Sequence, residues 1–412
     1  MGAVPFYVDE SVTLFQGDCR AVMASLPDRS VDSIVTDPPY ELGFMGKGWD
    51  GSGIAYNSEV WENAYRVLKP GGHLLAFGGT RTWHRLAVAI EDAGFEVRDS
   101  IAWMYGSGFP KSLDVSKAID KAAGAERDRV AYSGGIASGS SNYGGGGVVH
   151  VGTKVGDTPA TPAAQQWQGW GTALKPAFEP IVVARKPLIG TVAENVLAHG
   201  TGGLNIDGCR IGTDGERPTG LKKNGARSQK VSEGWDRPWK NDDRADRVVG
   251  DGERTTNAGR WPANVILDES QAAELDKQSG VLTSGANPTS RSSDKFRNAY
   301  GDFTGQTQCV PARGIDTGGA SRFFYCAKAN SSERPRDGDT AHPTVKPLEL
   351  MQYLIKLVTP PGGTVLEPFA GSGTTLEACI IEGFKCIGIE LTPEYLPLIV
   401  QRVTKPIEVT LL

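Results

Sequence analysis

No two of the six cysteines (Cys19, Cys209, Cys309, Cys326, Cys379 and Cys386) are spaced as C-x-x-C, so the sequence offers neither a zinc-ribbon pattern nor a disulfide framework. Cys379 and Cys386 lie inside apolar runs, where a free thiol behaves as a small hydrophobe, and a reducing compartment fits. No apolar run reaches the roughly 18 residues of a membrane-spanning helix. The first residues lack the basic-then-apolar pattern of a leader. A soluble, intracellular protein without a membrane partner or a metal is expected. Positive charge is not in excess either, the net charge being −5, but binding nucleic acid requires only a local basic face. One such stretch runs from Arg217 to Lys240, where seven basic residues face two acidic ones around Trp235 and Trp239. No internal repeat is present.

What the chain has in abundance is glycine, 53 residues in 412, together with 25 prolines. This composition suits many loops on a compact scaffold. From residue 11 to 104, β-branched runs (Ser11–Phe15, Val31–Thr36, His73–Phe77) alternate with amphipathic stretches (Glu59–Leu68, Trp83–Ala93). That alternation predicts a parallel sheet covered by helices. Residues 131–170 read as a Gly/Ser-rich elaboration, Phe178–Ala184 as a further strand, and residues 187–339 as an irregular insertion outside the sheet. Regular structure returns with a helix after Pro347, strands at Thr364–Glu367 and Lys385–Glu390, and helices at Thr374–Glu382 and Pro393–Val403. Neither end has enough strands for a sheet of its own, so one sheet assembled from both ends is the economical arrangement.

Two constellations carry chemistry. In Val365–Thr375 a strand runs into the glycine turn Phe369-Ala370-Gly371-Ser372-Gly373 and then a helix. Glycines permit close approach of a ligand to bare backbone, and a helix N-terminus offers free N–H groups. Glu390 closes the next strand, 17 residues after Gly373, where a carboxylate can accept ribose hydroxyls. A dinucleotide fingerprint would need a third glycine where Leu376 stands, so an adenosine ligand lacking a pyrophosphate fits better; a turn that merely packs a helix on a sheet is the alternative.

The second constellation is Asp37-Pro38-Pro39-Tyr40, directly after the buried strand Ser33–Thr36. The prolines end the strand and fix its backbone, at the end of a parallel strand where α/β sheets bind ligands. A carboxylate and a rigid carbonyl there could accept both hydrogens of an exocyclic amine, whose lone pair is otherwise delocalised into its ring. Tyr40 would offer a stacking face.

With these motifs in this order, the chain resembles the amino-group DNA methyltransferases (adenine-N6 or cytosine-N4) of the permuted class, in which the catalytic motif precedes the cofactor motif. The resemblance covers residues 11–110, 175–186 and 340–403. It implies a Rossmann-like α/β sheet, circularly permuted, built from residues 1–186 and 340–412, with residues 187–339 as a large target-recognition region. It implies S-adenosyl-L-methionine as cofactor and double-stranded DNA as substrate, in the cytoplasm of a prokaryotic cell or its virus. A homodimer and a restriction endonuclease partner are compatible with it. Carried over residue by residue, Asp37, Pro38, Pro39 and Tyr40 are catalytic, and Asp37 also adjoins the cofactor. Phe369, Gly371 and Gly373 match the methionine-binding turn, with Glu367 and Thr374 also on the cofactor side, Glu390 the ribose-binding acid, and Asp18 an acidic position near the adenine. Asp18 also reads as a helix N-cap. His342, Thr344 and Lys346, in His342–Pro347, look like the motif that flanks the cofactor's methionine moiety. Lys47 and Trp49, in Gly43–Gly53, could close on substrate as a lid; a passive loop is the alternative. Gly259–Asn264 and Ser321–Tyr325 pair arginine with aromatics, as DNA contacts or as core packing.

Aspartate in the first catalytic position favours adenine N6 within the family, where serine would favour cytosine N4. Methylation of RNA or of a protein amide, and a DNA-binding protein that has lost catalysis, are the remaining alternatives.

Overall fold

The computed structural model describes residues 3–43, 48–108, 112–136, 149–212, 259–284, 316–328, 336–337, 340–341 and 345–405. In chain order its strands are β1 (Tyr7–Val8), β2 (Val12–Gln16), β3 (Val31–Thr36), β4 (Leu68–Phe77), β5 (Glu96–Met104), β6 (Arg129–Ile136), β7 (Val149–Val155) and β8 (Phe178–Arg185). There follow β9 (Val265–Asp268), β10 (Leu282–Ser284), β11 (Asp316–Gly318), β12 (Tyr325–Ala327), β13 (Arg336–Asp337), β14 (Thr340–Ala341), β15 (Thr364–Glu367) and β16 (Lys385–Glu390). By its internal contacts the chain divides into two units, residues 1–106 with 178–412, and Ser107–Ala177.

The first unit is built on a ten-stranded sheet of order β1-β2-β16-β15-β3-β4-β8-β5-β9-β12. Strands β2, β16, β15, β3 and β4 are mutually parallel, and β8 runs antiparallel between β4 and β5. The two ends of the chain therefore share one sheet, as the strand count alone suggested. Alternate residues of each strand serve opposite faces. Val35, Leu75, Phe77, Ile181 and Val365 pack with the helices Leu348–Val358, Thr374–Ile381 and Leu396–Val403. Ile34, Leu74, Ala76, Val182 and Leu366 pack with Cys19–Ser25, Ser58–Val67 and Trp83–Asp92. With both faces covered, β3 is buried along its whole length, which is why it reads as an unbroken run rather than an alternation. Each fully buried Ile, Leu or Val adds roughly 1.5–3 kcal/mol to the driving force.

One expectation is corrected. Residues 187–339 do not lie wholly outside the sheet: β9 pairs parallel with β5, and β12 with β9. Strands of three or four residues are too short to display a period, and they join because the edge of β5 opposite β8 accepts β9, which in turn accepts β12. The second unit runs from Ser107 to Ala177 and so includes the stretch 131–170 read as an elaboration. Its hairpin β6–β7 accompanies helices Val115–Ala122 and Pro162–Gln166. Asp120 is its internal tie, receiving Arg127 Nε at 2.6 Å, the backbone N–H of Ala160 and Thr161, and the Thr161 hydroxyl. No helix among the described residues is long and apolar enough to cross a membrane.

Candidate active site

The parallel strands bring the candidate residues together. Asp18, Glu390, the turn after Glu367 and Asp37 follow the carboxyl ends of β2, β16, β15 and β3, four neighbours in the sheet. Residues more than 300 positions apart thus line one edge, the location at which open α/β sheets bind ligands.

The glycine turn is shaped by its backbone. Gly371 and Gly373 have φ of 53° and 78°, a region costly to a residue with a side chain. Gly373 N–H closes the turn on the Ala370 carbonyl at 2.7 Å, and Ala370 N–H reaches the Ile389 carbonyl of β16 at 2.8 Å. Gly371 N–H donates to Glu390 Oε2 at 2.7 Å, and Thr392 N–H to Glu390 Oε1 at 2.8 Å. Each oxygen of Glu390 keeps a further lone pair. Burial pushes its carboxyl above the usual carboxylate range. Thr374 opens the following helix, its hydroxyl accepting from the buried Arg402 at 2.5 Å.

Glu367 differs from its neighbours in that it is 1% exposed. Oε1 accepts from the Thr36 hydroxyl at 2.5 Å and from Phe369 N–H at 3.0 Å, and Oε2 from the Thr375 hydroxyl at 2.7 Å. It ties the last residue of β3 to the glycine turn after β15. Burial pushes its pKa to about 8. Asp18 caps the helix Cys19–Ser25 through Arg20 N–H at 2.8 Å, and its other oxygen pairs with the Arg20 guanidinium at 2.6 Å. The capping alternative read from the sequence is therefore realised.

Asp37 leaves β3 with its carboxylate divided in function. Oδ2 pairs with Lys346 Nζ at 2.7 Å, whereas Oδ1 is buried and has no hydrogen-bond partner among the described residues. A buried acceptor left unpaired costs about 1–3 kcal/mol, and this oxygen has room in its hydrogen bonding for a donor. The Tyr40 hydroxyl donates to Glu179 Oε2 at 2.7 Å, and burial followed by the charges of Asp37 and Glu179 raises its pKa well above 10. The Tyr40 carbonyl accepts the Thr82 hydroxyl at 2.9 Å. Beyond it, Asp50 receives Glu41 N–H at 2.9 Å and Leu42 N–H at 3.3 Å, and Glu41 receives Gly53 N–H at 2.7 Å. These bonds fasten both ends of the loop that follows the tetrapeptide. Lys47 lies outside the described residues; Trp49 falls in the 3-10 turn Gly48–Gly51.

His342 and Thr344 lie outside the described residues, as does the basic stretch Arg217–Lys240. Lys346, expected near the cofactor, sits between Asp37 and Glu179, 2.7 and 3.4 Å from their carboxylates. Glu179 was not singled out from the sequence. A lone glutamate in an otherwise apolar strand, Phe178–Ala184, is the signal that could have found it. Arg260 and Arg322 both lie over the Phe323 ring, at 4.8 and 4.3 Å. Arg260 Nη1 donates to the Gly212 and Arg322 carbonyls, so it organises backbone within the chain. Among the described residues no three His, Cys, Asp or Glu are grouped as a metal site.

A family model described as DNA methylase, N6_N4_Mtase, matches residues 31–401. YubD of Escherichia coli (strain K12) is 48% identical over 88 residues, 20% of this chain and 38% of that protein. The Type II methyltransferase M.HindIII of Haemophilus influenzae is 29% identical over 151 residues, 36% of this chain and 37% of that protein. These matches span less than two-fifths of either relative's length. Among solved structures, PvuII DNA methyltransferase (cytosine-N4-specific) aligns over 98% of this chain and 90% of that one, at 13% identity and a TM-score of 0.45. The M1.HpyAVI–SAM complex aligns over 95% and 99%, at 15% identity and a TM-score of 0.38.

Proposed function

The chain belongs to the N6_N4_Mtase family of DNA methylases, and from that premise we propose that it transfers a methyl group from S-adenosylmethionine to the exocyclic N6 of adenine in duplex DNA. The family is S-adenosylmethionine-dependent. The observation that carries the proposal is the Asp37 carboxylate, with one oxygen held by Lys346 and the other buried without a partner among the described residues. An exocyclic amine supplies the N–H donor that this oxygen lacks.

The donor set beside Asp37 fits the cofactor. Glu390 is anchored by two backbone N–H groups and keeps lone pairs for ribose hydroxyls. Phe369 to Gly373 would hold the methionine portion, the positive φ of both glycines keeping the turn free of side chains. When bound, the cofactor supplies a methyl group made electrophilic by its sulfonium.

The chain's own residues act on the base. Chemistry on a base inside a duplex requires its extrusion, and Tyr40 offers a ring on which it can stack, on the face away from Lys346. Asp37 Oδ1 accepts one amine hydrogen and the Pro38 carbonyl the other. Drawing both hydrogens to one side turns the nitrogen towards tetrahedral geometry and frees its lone pair for the methyl carbon. As the N–C bond forms, the bond from the methyl carbon to sulfur would break with its electron pair left on a neutral thioether, and the amine would give up one proton through Asp37 Oδ1 to water. Positioning and preorganised acceptors of this kind are the main source of rate enhancement in such a site. Aspartate rather than serine at position 37 supports adenine over cytosine.

The test is incubation with labelled S-adenosylmethionine and unmodified duplex DNA, followed by digestion and identification of the labelled nucleoside. N6-methyladenine is expected. N4-methylcytosine would overturn the choice of base, and label confined to RNA or protein would overturn the choice of substrate.

A further inference from the structure

The Lys346 side chain is 10% exposed, and residues of three separate elements surround its ammonium. It lies 2.7 Å from Asp37 Oδ2 after β3, 3.4 Å from Glu179 Oε2 on β8, and 5.2 and 4.9 Å from the ring centroids of Tyr40 and Phe77. Glu179 Oε2 also takes the Tyr40 hydroxyl at 2.7 Å. One cation therefore fixes two carboxylates, and the second carboxylate fixes the ring of the first one's neighbour in sequence. Taking an ammonium out of water is costly unless close carboxylates compensate, and these two do. Of the ammonium's three donors, one goes to Asp37 Oδ2 at 2.7 Å, and Glu179 adds a second negative charge at 3.4 Å.

We propose that Lys346 is the positioning residue for Asp37, with Glu179 as its counter-anchor. By holding Oδ2, Lys346 stops the carboxylate from rotating, so that Oδ1 remains the oxygen presented to the substrate amine. Glu179 holds the lysine from the opposite side and pins the Tyr40 hydroxyl. The hydrogen-bond acceptor and the stacking ring are thereby set in one fixed relation. The network crosses the sheet from β3 to β8, two strands away, and draws its cation from the segment before the helix Leu348–Val358. The proposal rests on the reading of Asp37 as the amine acceptor.

The test compares wild type, Lys346→Met, Lys346→Arg and Glu179→Gln for kcat, KM for unmodified DNA, and Kd for S-adenosylmethionine by calorimetry. A carboxylate displaced by about 1 Å costs on the order of 100-fold in rate. Lys346→Met should lose about that factor in kcat, with KM and cofactor Kd each within about threefold of wild type. Arginine, which can also pair with two carboxylates, should restore most of the loss. Glu179→Gln should lower kcat less than Lys346→Met does. A Lys346→Met variant that keeps kcat but binds the cofactor more than tenfold more weakly would overturn the proposal in favour of a direct cofactor contact. Should Lys346→Met not fold, Glu179→Gln decides: unchanged kcat refutes the network, and reduced kcat with intact cofactor affinity supports it. Failure of the wild type to methylate any DNA base would overturn the parent reading, an outcome distinct from a loss confined to the variants.

Discussion

Replacing Glu367 by glutamine should make the protein more stable in alkali. The carboxyl is 1% exposed and its pKa is pushed to about 8, chiefly by burial, from an ordinary value of 4.5. Between those values the unfolded chain releases the proton that the native chain keeps, so this group's contribution falls as pH rises and is lost above about pH 8. At about 1.4 kcal/mol per unit where the two states differ fully, the wild type should lose about 2 kcal/mol between pH 6 and 8, flattening beyond. Glutamine mimics the protonated acid. Its oxygen accepts from the Thr36 hydroxyl and Phe369 N–H, and its amide faces Thr375, whose hydroxyl can rotate to accept. Glu367→Gln should therefore lack this slope. Urea unfolding of both proteins at pH 6, 7, 8 and 9 reads the difference directly. Stability curves that stay parallel to within about 0.5 kcal/mol would refute the buried, protonated carboxyl. The same variant separates two roles for Glu367. A strut between β3 and the glycine turn leaves S-adenosylmethionine affinity within about threefold, whereas a direct ligand would lose tenfold or more.

Asp37→Ala should reduce transfer by at least 100-fold, on the order expected for a lost preorganised contact, while calorimetry finds cofactor affinity unchanged; loss of both would make the residue structural. Tyr40→Ala should weaken binding of DNA by about 1–3 kcal/mol, the worth of a stacked base, and Tyr40→Phe should largely retain it in a filter-binding assay. If phenylalanine were as damaging as alanine, the hydroxyl bonded to Glu179 would matter and the ring would not. Gly373→Ala places a methyl 3.0 Å from Ile399 Cγ2 at φ 78°. It should cost roughly 1–3 kcal/mol in urea unfolding and weaken cofactor binding, and an alanine variant of unchanged stability would contradict the turn described.

Local sequence determined the pieces. Two prolines must end β3 and make Asp37 the first residue beyond it, and paired glycines must make a tight turn before the helix at Thr374, because both effects act within a few residues. The apolar run Ser33–Thr36 and the amphipathic helices were legible for the same reason: their periods follow from burial on one face or two. The order of the motifs, with too few strands at either end, even required one sheet from both. Tertiary structure decided what no period encodes. Strands β9 and β12 are too short for a pattern and form because the edge of β5 opposite β8 accepts β9, which in turn accepts β12. Glu179 looks like a lone polar residue in an apolar strand until the sheet order sets β8 beside β4 and brings it to Tyr40 and Lys346. Lys346, read as a cofactor neighbour, lies against Asp37, 309 residues away in sequence. Sequence fixes which groups can accept a proton or pair a charge; their partners are chosen by distances that only the folded sheet sets.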